Sequence, residues 1–232
     1  MSSEPMKRIS AGELTTEEYG SILREVFHYS RENPQLKAAA CMYLRGRERD
    51  LVSSMFRHAT AEVGHENLAM NDIISLGMNV DALPYENPLS ATSLMTAYAY
   101  YQIHRMNPAG YIGYGFFLEF LPTTVGSDII LTLKKSGIPE NSLSFLIDHA
   151  EIDVSHTRLV ERYVDAFGRT DAEISSMGYV IETTGYMFAK LFEQAIEFAH
   201  APWERGWNWQ ELIADSLTPE MVISGEAKRQ TA

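Results

Sequence analysis

The chain has 232 residues, with 19 basic and 31 acidic side chains, a formal charge of −12 and one cysteine. This length suits one domain with one core, the acidic balance argues against binding to nucleic acid or to an anionic membrane, and a single cysteine excludes an internal disulfide. No apolar run reaches the ~18 residues of a membrane span and no secretory signal is visible, so a cytoplasmic protein is expected.

Apolar residues that recur every three or four positions predict an all-α fold, because the alternation typical of strands is nearly absent. We expect one helical domain over 1–232, with residues 1–13 flexible and residues 203–232 forming a C-terminal tail. Proline and glycine stop signals divide the domain into about seven or eight helices. These helices are expected at residues 15–33, 35–44, 47–77, 90–106, 109–122, 125–135, 139–168 and 171–200.

The helix predicted over 47–77 carries a possible metal-binding face. Glu62 and His65 are three residues apart and His58 lies seven before His65, so all three share one side of a helix, whereas Glu66 points about 100° away. A Glu-x-x-His pair is used by carboxylate-bridged di-iron and di-manganese bundles. An ordinary acidic surface helix is the alternative.

Glu119 follows a glycine-rich segment and lies among phenylalanine and leucine residues. We expect this carboxylate to be buried and directed at a metal; the alternative is a partner such as an arginine or a helix N-terminus. The glycines at 110, 113 and 115 are costly in a helix. Close packing of another helix and space for a ligand explain them equally well.

His149, Asp153 and His156 are spaced by four and then three residues, which places them on one face of the predicted helix 139–168. Two imidazoles and a carboxylate suit borderline metals such as iron, whereas the alternative is a solvated helical face. Combined with the earlier candidates, they favour two irons bridged by carboxylates. The predicted ligands are Glu62, His65, Glu119, His149, Asp153 and His156.

These motifs resemble the haem-oxygenase-like di-iron oxidases and oxygenases over residues of about 14–200. The segment EVGHE at 62–66 is followed by Glu119 and then by the histidine-rich helix in the order expected for that family. The resemblance implies a seven-helix bundle, a homodimer, two Fe(II) ions held by the six residues above and dioxygen as co-substrate. It also implies a peroxo-diferric intermediate, with Glu62 or Glu119 bridging or shifting as the catalytic carboxylate.

Family members perform N-oxygenation, oxidative carbon–carbon cleavage or desaturation on amino acids, amines and fatty acids. Some add a carboxylate from the first helix or from the position seven residues before the EGH histidine, which in this sequence is His58. On the first helix, His28 is a ligand, a hydrogen-bond partner or a buried structural histidine, and both histidines are further candidates here. An external electron donor is possible, since no flavin, nicotinamide or ferredoxin motif is present. The alternatives are an enzyme similar to the thiaminase II or pyrroloquinoline-quinone synthase branches of this fold, with Cys41 as a weak nucleophile, and a non-enzymatic iron-binding protein.

Aromatic residues near the glycines suggest a small substrate pocket with polar hydroxyls. Such a pocket suits an amino acid or amine better than a long acyl chain, although aromatic residues at helical spacing are often simply core. The predicted pocket residues are Tyr98, Tyr101, Tyr111, Tyr114 and Phe117.

Overall fold

The computed structural model describes residues 3–43 and 49–200, without the side chains of residues 50 and 151–157. The tail predicted at 203–232 lies outside these residues. The described chain contains α-helices and no strand, which confirms the all-α prediction. The helices are α1 Glu4–Ala11, α2 Thr16–Ser30, α3 Asn33–Cys41, α4 Arg49–Ala61, α5 Glu66–Ser75, α6 Ser90–Arg105, α7 Gly110–Lys135, α8 Ser144–Phe167 and α9 Asp171–Glu197.

Helices α7, α8 and α9 form the most closely packed part of the bundle, and α7 contacts both of the others. Helix α2 packs on α5 and α9, and α3 packs on α4. Each fully buried aliphatic side chain contributes about 1.5–3 kcal/mol by leaving water. The largest fully buried aliphatic side chains are Leu23, Leu36, Ile73, Leu83, Met95, Ile103, Leu143, Val180 and Leu191.

The segment expected to be flexible, residues 1–13, contains helix α1. Gly12 ends this helix in the left-handed region at φ 72°, and Arg8 donates two hydrogen bonds to the Glu18 carboxylate, at 2.6 and 2.8 Å. Glu18 also completes the predicted capping box with Thr15 at the start of α2. A paired charge therefore fixes α1 to the next helix.

The sequence predicts one helix over 47–77, but the structure ends α4 at Ala61 and begins α5 at Glu66. Gly64 has φ 96°, a conformation that glycine adopts without the steric cost of a Cβ. The Glu66 carboxylate accepts a hydrogen bond from the Gly64 backbone N–H at 3.1 Å. The turn at 62–65 therefore changes the direction of the chain at the candidate ligands.

The two helices expected at 109–122 and 125–135 form a single helix, α7, with Pro122 inside it. Proline lacks the N–H that would donate to the carbonyl of Leu118, so α7 loses one helical hydrogen bond at this point. The hydroxyls of Thr123 and Thr124 donate to the carbonyl of Phe120, at 2.8 and 2.9 Å. By length and composition alone, α7 could cross a membrane, with a mean hydropathy of 1.4. The expectation that no segment reaches this length is therefore corrected, because the helix continues through Pro122.

The start of α8 is fixed by a residue of α5. Asp72 is fully buried and accepts hydrogen bonds from the backbone N–H groups of Ser144 and Phe145, both at 2.9 Å. The Ser144 hydroxyl donates a third, at 2.6 Å. These contacts satisfy the otherwise unpaired N–H groups of the first turn, as a capping residue of the same helix would.

Candidate metal centre

Three buried side chains from two helices and a turn meet in the interior. His58 comes from α4, Glu62 from the turn that follows it and Glu119 from α7, and they are 3, 5 and 6% exposed. His58 Nε2 lies 3.1 Å from Oε1 of Glu62 and 3.1 Å from Oε1 of Glu119. One ligand atom from each lies within 4.8 Å of the others, a spacing at which a metal ion could be held.

Lys37 of α3 is the fourth member of this cluster, and the sequence did not predict it. Its ammonium nitrogen lies 3.0 Å from Oε1 of Glu62 and 3.0 Å from Oε1 of Glu119. A signal was available, because Lys37 follows the core residue Leu36 and precedes Ala40 on a short helix whose inner face is buried. Glu119 is buried as predicted, and its observed partners are a lysine and a histidine.

The charges in this cluster stabilise one another. Burial alone would lower the pKa of Lys37, but Glu119 and Glu62 outweigh it and hold that pKa above its ordinary value. Burial would likewise raise the pKa of Glu62, whereas Lys37 and hydrogen bonds from His58 and His65 hold it well below its usual range. Glu62 is therefore a carboxylate in the fold.

A second group of imidazoles lies beside Glu62. His65 Nδ1 is 3.4 Å from Oε2 of Glu62, and its ring meets that of His149 edge to face with 5.5 Å between centroids. His149 Nδ1 donates to the carbonyl of Phe145 at 2.7 Å, and the Phe145 ring stacks on the imidazole at 4.0 Å. This bond places the lone pair of a neutral imidazole on Nε2, the arrangement typical of a metal-binding histidine.

The structure therefore brings together four of the six predicted ligands, Glu62, His65, Glu119 and His149. Asp153 and His156 lie on the same helix as His149, but their side chains are outside the described residues. Of the two further candidates, His58 belongs to the buried cluster. His28 is buried on α2, edge to face with Phe27 at 5.4 Å, and is not one of the three clustered ligands.

A small cavity of about 20 Å³ adjoins the cluster, enough for one water-sized molecule. Its lining includes one predicted pocket residue, Tyr111, on whose ring Tyr114 stacks at 5.8 Å. Tyr101 is 51% exposed on α6 and is not among the residues that line this cavity. The lining residues are Lys37, Met55, His58, Tyr111, Ile112, Gly115, Val160 and Tyr163.

Tyr98 and Phe117 also lie away from this cavity. Tyr98 is partly buried on α6, and Phe117 packs edge to face on Phe188 of α9 at 5.5 Å. Both side chains therefore support helix packing, which is the alternative that the sequence left open for aromatic residues.

The three glycines of α7 divide between the two expected explanations. A Cβ on Gly113 would lie 2.3 Å from the backbone oxygen of Met177, and one on Gly110 would lie 2.8 Å from Oγ of Ser176, so both allow close packing of α9. A Cβ on Gly115 would meet none of the described atoms within 4 Å, and this glycine lines the cavity. Close packing explains the first two, and open space explains the third.

A larger cleft of about 370 Å³ lies where α3 and α4 meet the turn at 62–65. It combines an arginine and a glutamate with apolar walls, a combination suited to a small zwitterion. Its lining residues are Arg31, Pro34, Gln35, Ala38, Phe56, Ala59, Thr60, Val63, Gly64 and Glu66. Cys41 does not line it; this thiol is buried as predicted, and burial raises its pKa to about 11.

The donor set fits iron. The clustered ligands are imidazole nitrogen and carboxylate oxygen, with no sulfur, which is the preference of non-haem iron rather than of structural zinc or iron–sulfur clusters. The buried carboxylates also require a cation, and Lys37 already supplies one positive charge. A metal-binding role for this cluster is therefore consistent with both its chemistry and its burial.

Comparison with solved structures identifies the fold as haem-oxygenase-like. A domain of unknown function with a heme oxygenase-like fold from Shewanella denitrificans aligns with a TM-score of 0.75 and 23% identity, over 99% of this chain and 90% of that one. A TenA homolog from Pseudomonas syringae aligns with a TM-score of 0.67 and 14% identity, over 84% of this chain and 85% of that one.

The sequence of the chain identifies the family within this fold. Residues 21–175 match the family model described as "Iron-containing redox enzyme". The chain belongs to this family of haem-oxygenase-like, iron-containing redox enzymes, as the motifs predicted. None of the curated proteins matches it.

Proposed function

We propose that this protein is a dioxygen-dependent, non-haem di-iron oxidoreductase that acts on a small molecule, either an amino acid or an amine. The observation that carries the proposal is the buried group of His58, Glu62 and Glu119 beside the imidazoles of His65 and His149. Membership of an iron-containing redox family supplies the metal and the class of reaction.

Glu62 is the residue that links the two halves of the proposed centre. Its Oε1 faces His58 and its Oε2 faces His65, so one carboxylate serves both groups. We assign His58, Glu62 and Glu119 to one ion, and Glu62, His65 and His149 to the other, together with the predicted ligands Asp153 and His156. Ferrous iron, when bound, supplies the electrons that activate dioxygen.

The protein's contribution is to hold charge and exclude water. Burial of Glu62 and Glu119 keeps their interactions strong, because few solvent dipoles compete with them. The adjoining cavity of about 20 Å³ is mainly apolar and holds no more than one water-sized molecule, so little solvent reaches the centre from this side.

The cleft behind the turn at 62–65 supports the substrate class. Arg31 offers a guanidinium to a carboxylate, and Glu66 offers a carboxylate to an ammonium. Phe56 and Val63 provide an apolar wall between these charges. A zwitterionic amino acid matches both features, whereas a long acyl chain would use neither charge.

The test is anaerobic loading with ferrous iron, followed by metal analysis and by measurement of dioxygen uptake with amino acids, amines and fatty acids. We expect close to two irons per chain and faster uptake with an amino acid or amine. His149→Ala should lose at least one iron, whereas His104→Ala, an exposed histidine bonded to Tyr43, should lose none. Full iron content in His149→Ala would refute the ligand assignment, and stimulation by fatty acids alone would refute the substrate class.

A cysteine-based reaction in the manner of thiaminase II receives no support from the site. The raised pKa of Cys41 keeps its thiol protonated at neutral pH, and a thiol is a far weaker nucleophile than a thiolate.

A further inference from the structure

Lys37 occupies the position that a metal would need. Its Nζ and the Nε2 atom of His58 contact the same two oxygens, Oε1 of Glu62 and Oε1 of Glu119, at 3.0 and 3.1 Å. A cation held by these three ligands would lie against the ammonium group. Like charges at such short range in a buried site repel strongly, so a divalent ion and Lys37 cannot share this position.

The cavity next to this position offers a candidate second site for the ammonium. Lys37 lines the cavity of about 20 Å³, and Tyr163 of α8 lines it too. Tyr163 is 4% exposed, and its hydroxyl oxygen has no hydrogen-bond partner among the residues that the structure describes. A phenol oxygen accepts a hydrogen bond from an ammonium, and an ammonium group is about as large as the one water that the cavity could hold.

We propose that Lys37 is a mobile counter-cation with two positions, one between Glu62 and Glu119 and one at the Tyr163 hydroxyl, and that a divalent metal ion drives it from the first to the second. This inference rests on the proposed metal centre. The lysine moves between these positions by side-chain rotation alone. Because the lysine and the metal compete for the same carboxylates, each weakens the binding of the other by the same factor.

The first test is a calorimetric titration of the protein with Mn²⁺, a divalent ion that binds the same nitrogen and oxygen ligands as ferrous iron. Lys37→Met preserves length and removes the charge, so this variant should bind Mn²⁺ roughly 10-fold or more tightly than the wild type. Lys37→Gln keeps a hydrogen-bond donor for the two carboxylates and should show the same direction of change if the methionine variant does not fold. Lys134→Met, which removes an exposed lysine of α7, should bind Mn²⁺ as the wild type does.

The second test distinguishes movement of Lys37 to Tyr163 from a purely structural role of Tyr163. Tyr163→Phe removes the acceptor for the displaced ammonium, so it should weaken Mn²⁺ binding about fivefold in the wild-type background. In the Lys37→Met background it should have no effect, because no ammonium needs the acceptor. Equal effects in both backgrounds would overturn the inference.

The metal affinities also distinguish this inference from the proposed function. Charge-removing variants of Lys37 that bind Mn²⁺ no more tightly than the wild type would refute the lysine inference and leave the oxidase proposal standing. Tighter binding in those variants, combined with no dioxygen uptake by the iron-loaded wild type with any substrate, would refute the oxidase proposal and support the lysine inference.

Discussion

Glu119 is the residue whose chemistry the sequence described best. A carboxylate among phenylalanines was expected to be buried and to need a cation, and it is 6% exposed and 3.0 Å from Lys37 Nζ. Burial follows from the identities of neighbouring residues on the same helix, which a sequence displays directly. The local sequence does not reveal the partner of Glu119, because Lys37 lies 82 positions away on α3 and only the tertiary fold brings the two together.

Glu119→Gln should therefore weaken metal binding without unfolding the protein. The amide keeps the shape of the side chain but removes one of the two negative charges of the cluster, so Mn²⁺ affinity should fall by roughly 10-fold or more. Calorimetric titration measures the affinity, and far-ultraviolet circular dichroism verifies the helices. Glu140→Gln, an exposed surface change, is the control. Unchanged affinity in Glu119→Gln would remove this residue from the centre.

Helix α7 contains two glycines with different surroundings: Gly113 packs tightly against another helix, whereas Gly115 does not. Gly113→Ala would place a Cβ 2.3 Å from the Met177 backbone oxygen, so α7 and α9 must separate, at a cost of about 1–3 kcal/mol. Gly115→Ala enters open space and gains about 1 kcal/mol from helix propensity. Chemical denaturation of the two variants measures both changes in the free energy of unfolding. Equal stability changes would contradict the close contact at Gly113.

The Gly115 variant also reports on the cavity. Its methyl group would fill part of the space beside Lys37 and His58, so we expect a more stable protein with slower dioxygen uptake. Stability and activity moving in opposite directions would connect this cavity to the reaction.

The attachment of α1 to α2 gives a pH-dependent prediction. Burial would raise the pKa of Glu18, but hydrogen bonds from Arg8 and from the Thr15 backbone more than compensate, and the net pKa is lowered. A carboxyl with a lowered folded pKa adds stability above its unfolded pKa of about 4.3 and loses it as the pH falls through the folded value. The ion pair therefore stabilises at neutral pH and not in acid.

Arg8→Met should lower the free energy of unfolding by about 1 kcal/mol at pH 7. The difference from the wild type should shrink as the pH falls below about 4, where Glu18 becomes protonated. Denaturation at a series of pH values measures this difference. Lys7→Met, on the exposed side of the same helix, should leave stability unchanged at every pH. A constant difference for Arg8→Met down to pH 2 would contradict the role of the charge.

For the whole molecule, metal binding should appear as stabilisation, since the ligands come from α4, the turn after it, α7 and α8 and are assembled only in the folded chain. At a free Mn²⁺ concentration about 100 times its Kd, linkage predicts about 2.7 kcal/mol of added stability. The thermal midpoint should rise by about 5–10 °C, and a chelator should reverse the rise. Glu119→Gln should show a smaller rise. A midpoint that does not respond to Mn²⁺ would contradict a metal centre built from these elements.

The overall fold was largely predictable, because the spacing of apolar residues and capping pairs such as Thr15 with Glu18 indicate helices in the sequence itself. The predictions that were wrong concern features that depend on tertiary structure. The break at 62–65 depends on the positive φ of Gly64. Helix α7 continues through Pro122 although it loses one hydrogen bond there, because it packs along α8 and α9. Lys37 was missed because its position beside Leu36 indicates burial but not a role, since a lone lysine has no partner at a helical spacing.

Asp72 holds the two histidine-bearing segments of the proposed centre at a fixed separation. Asp72 lies seven residues after His65. It accepts three hydrogen bonds from the first turn of α8, which begins five residues before His149. The separation of the two histidine-bearing segments is thus maintained by contacts that contain no ligand atom. We therefore expect these contacts to keep both histidine-bearing segments in register in the metal-free chain, so that the proposed centre could bind a metal ion without refolding.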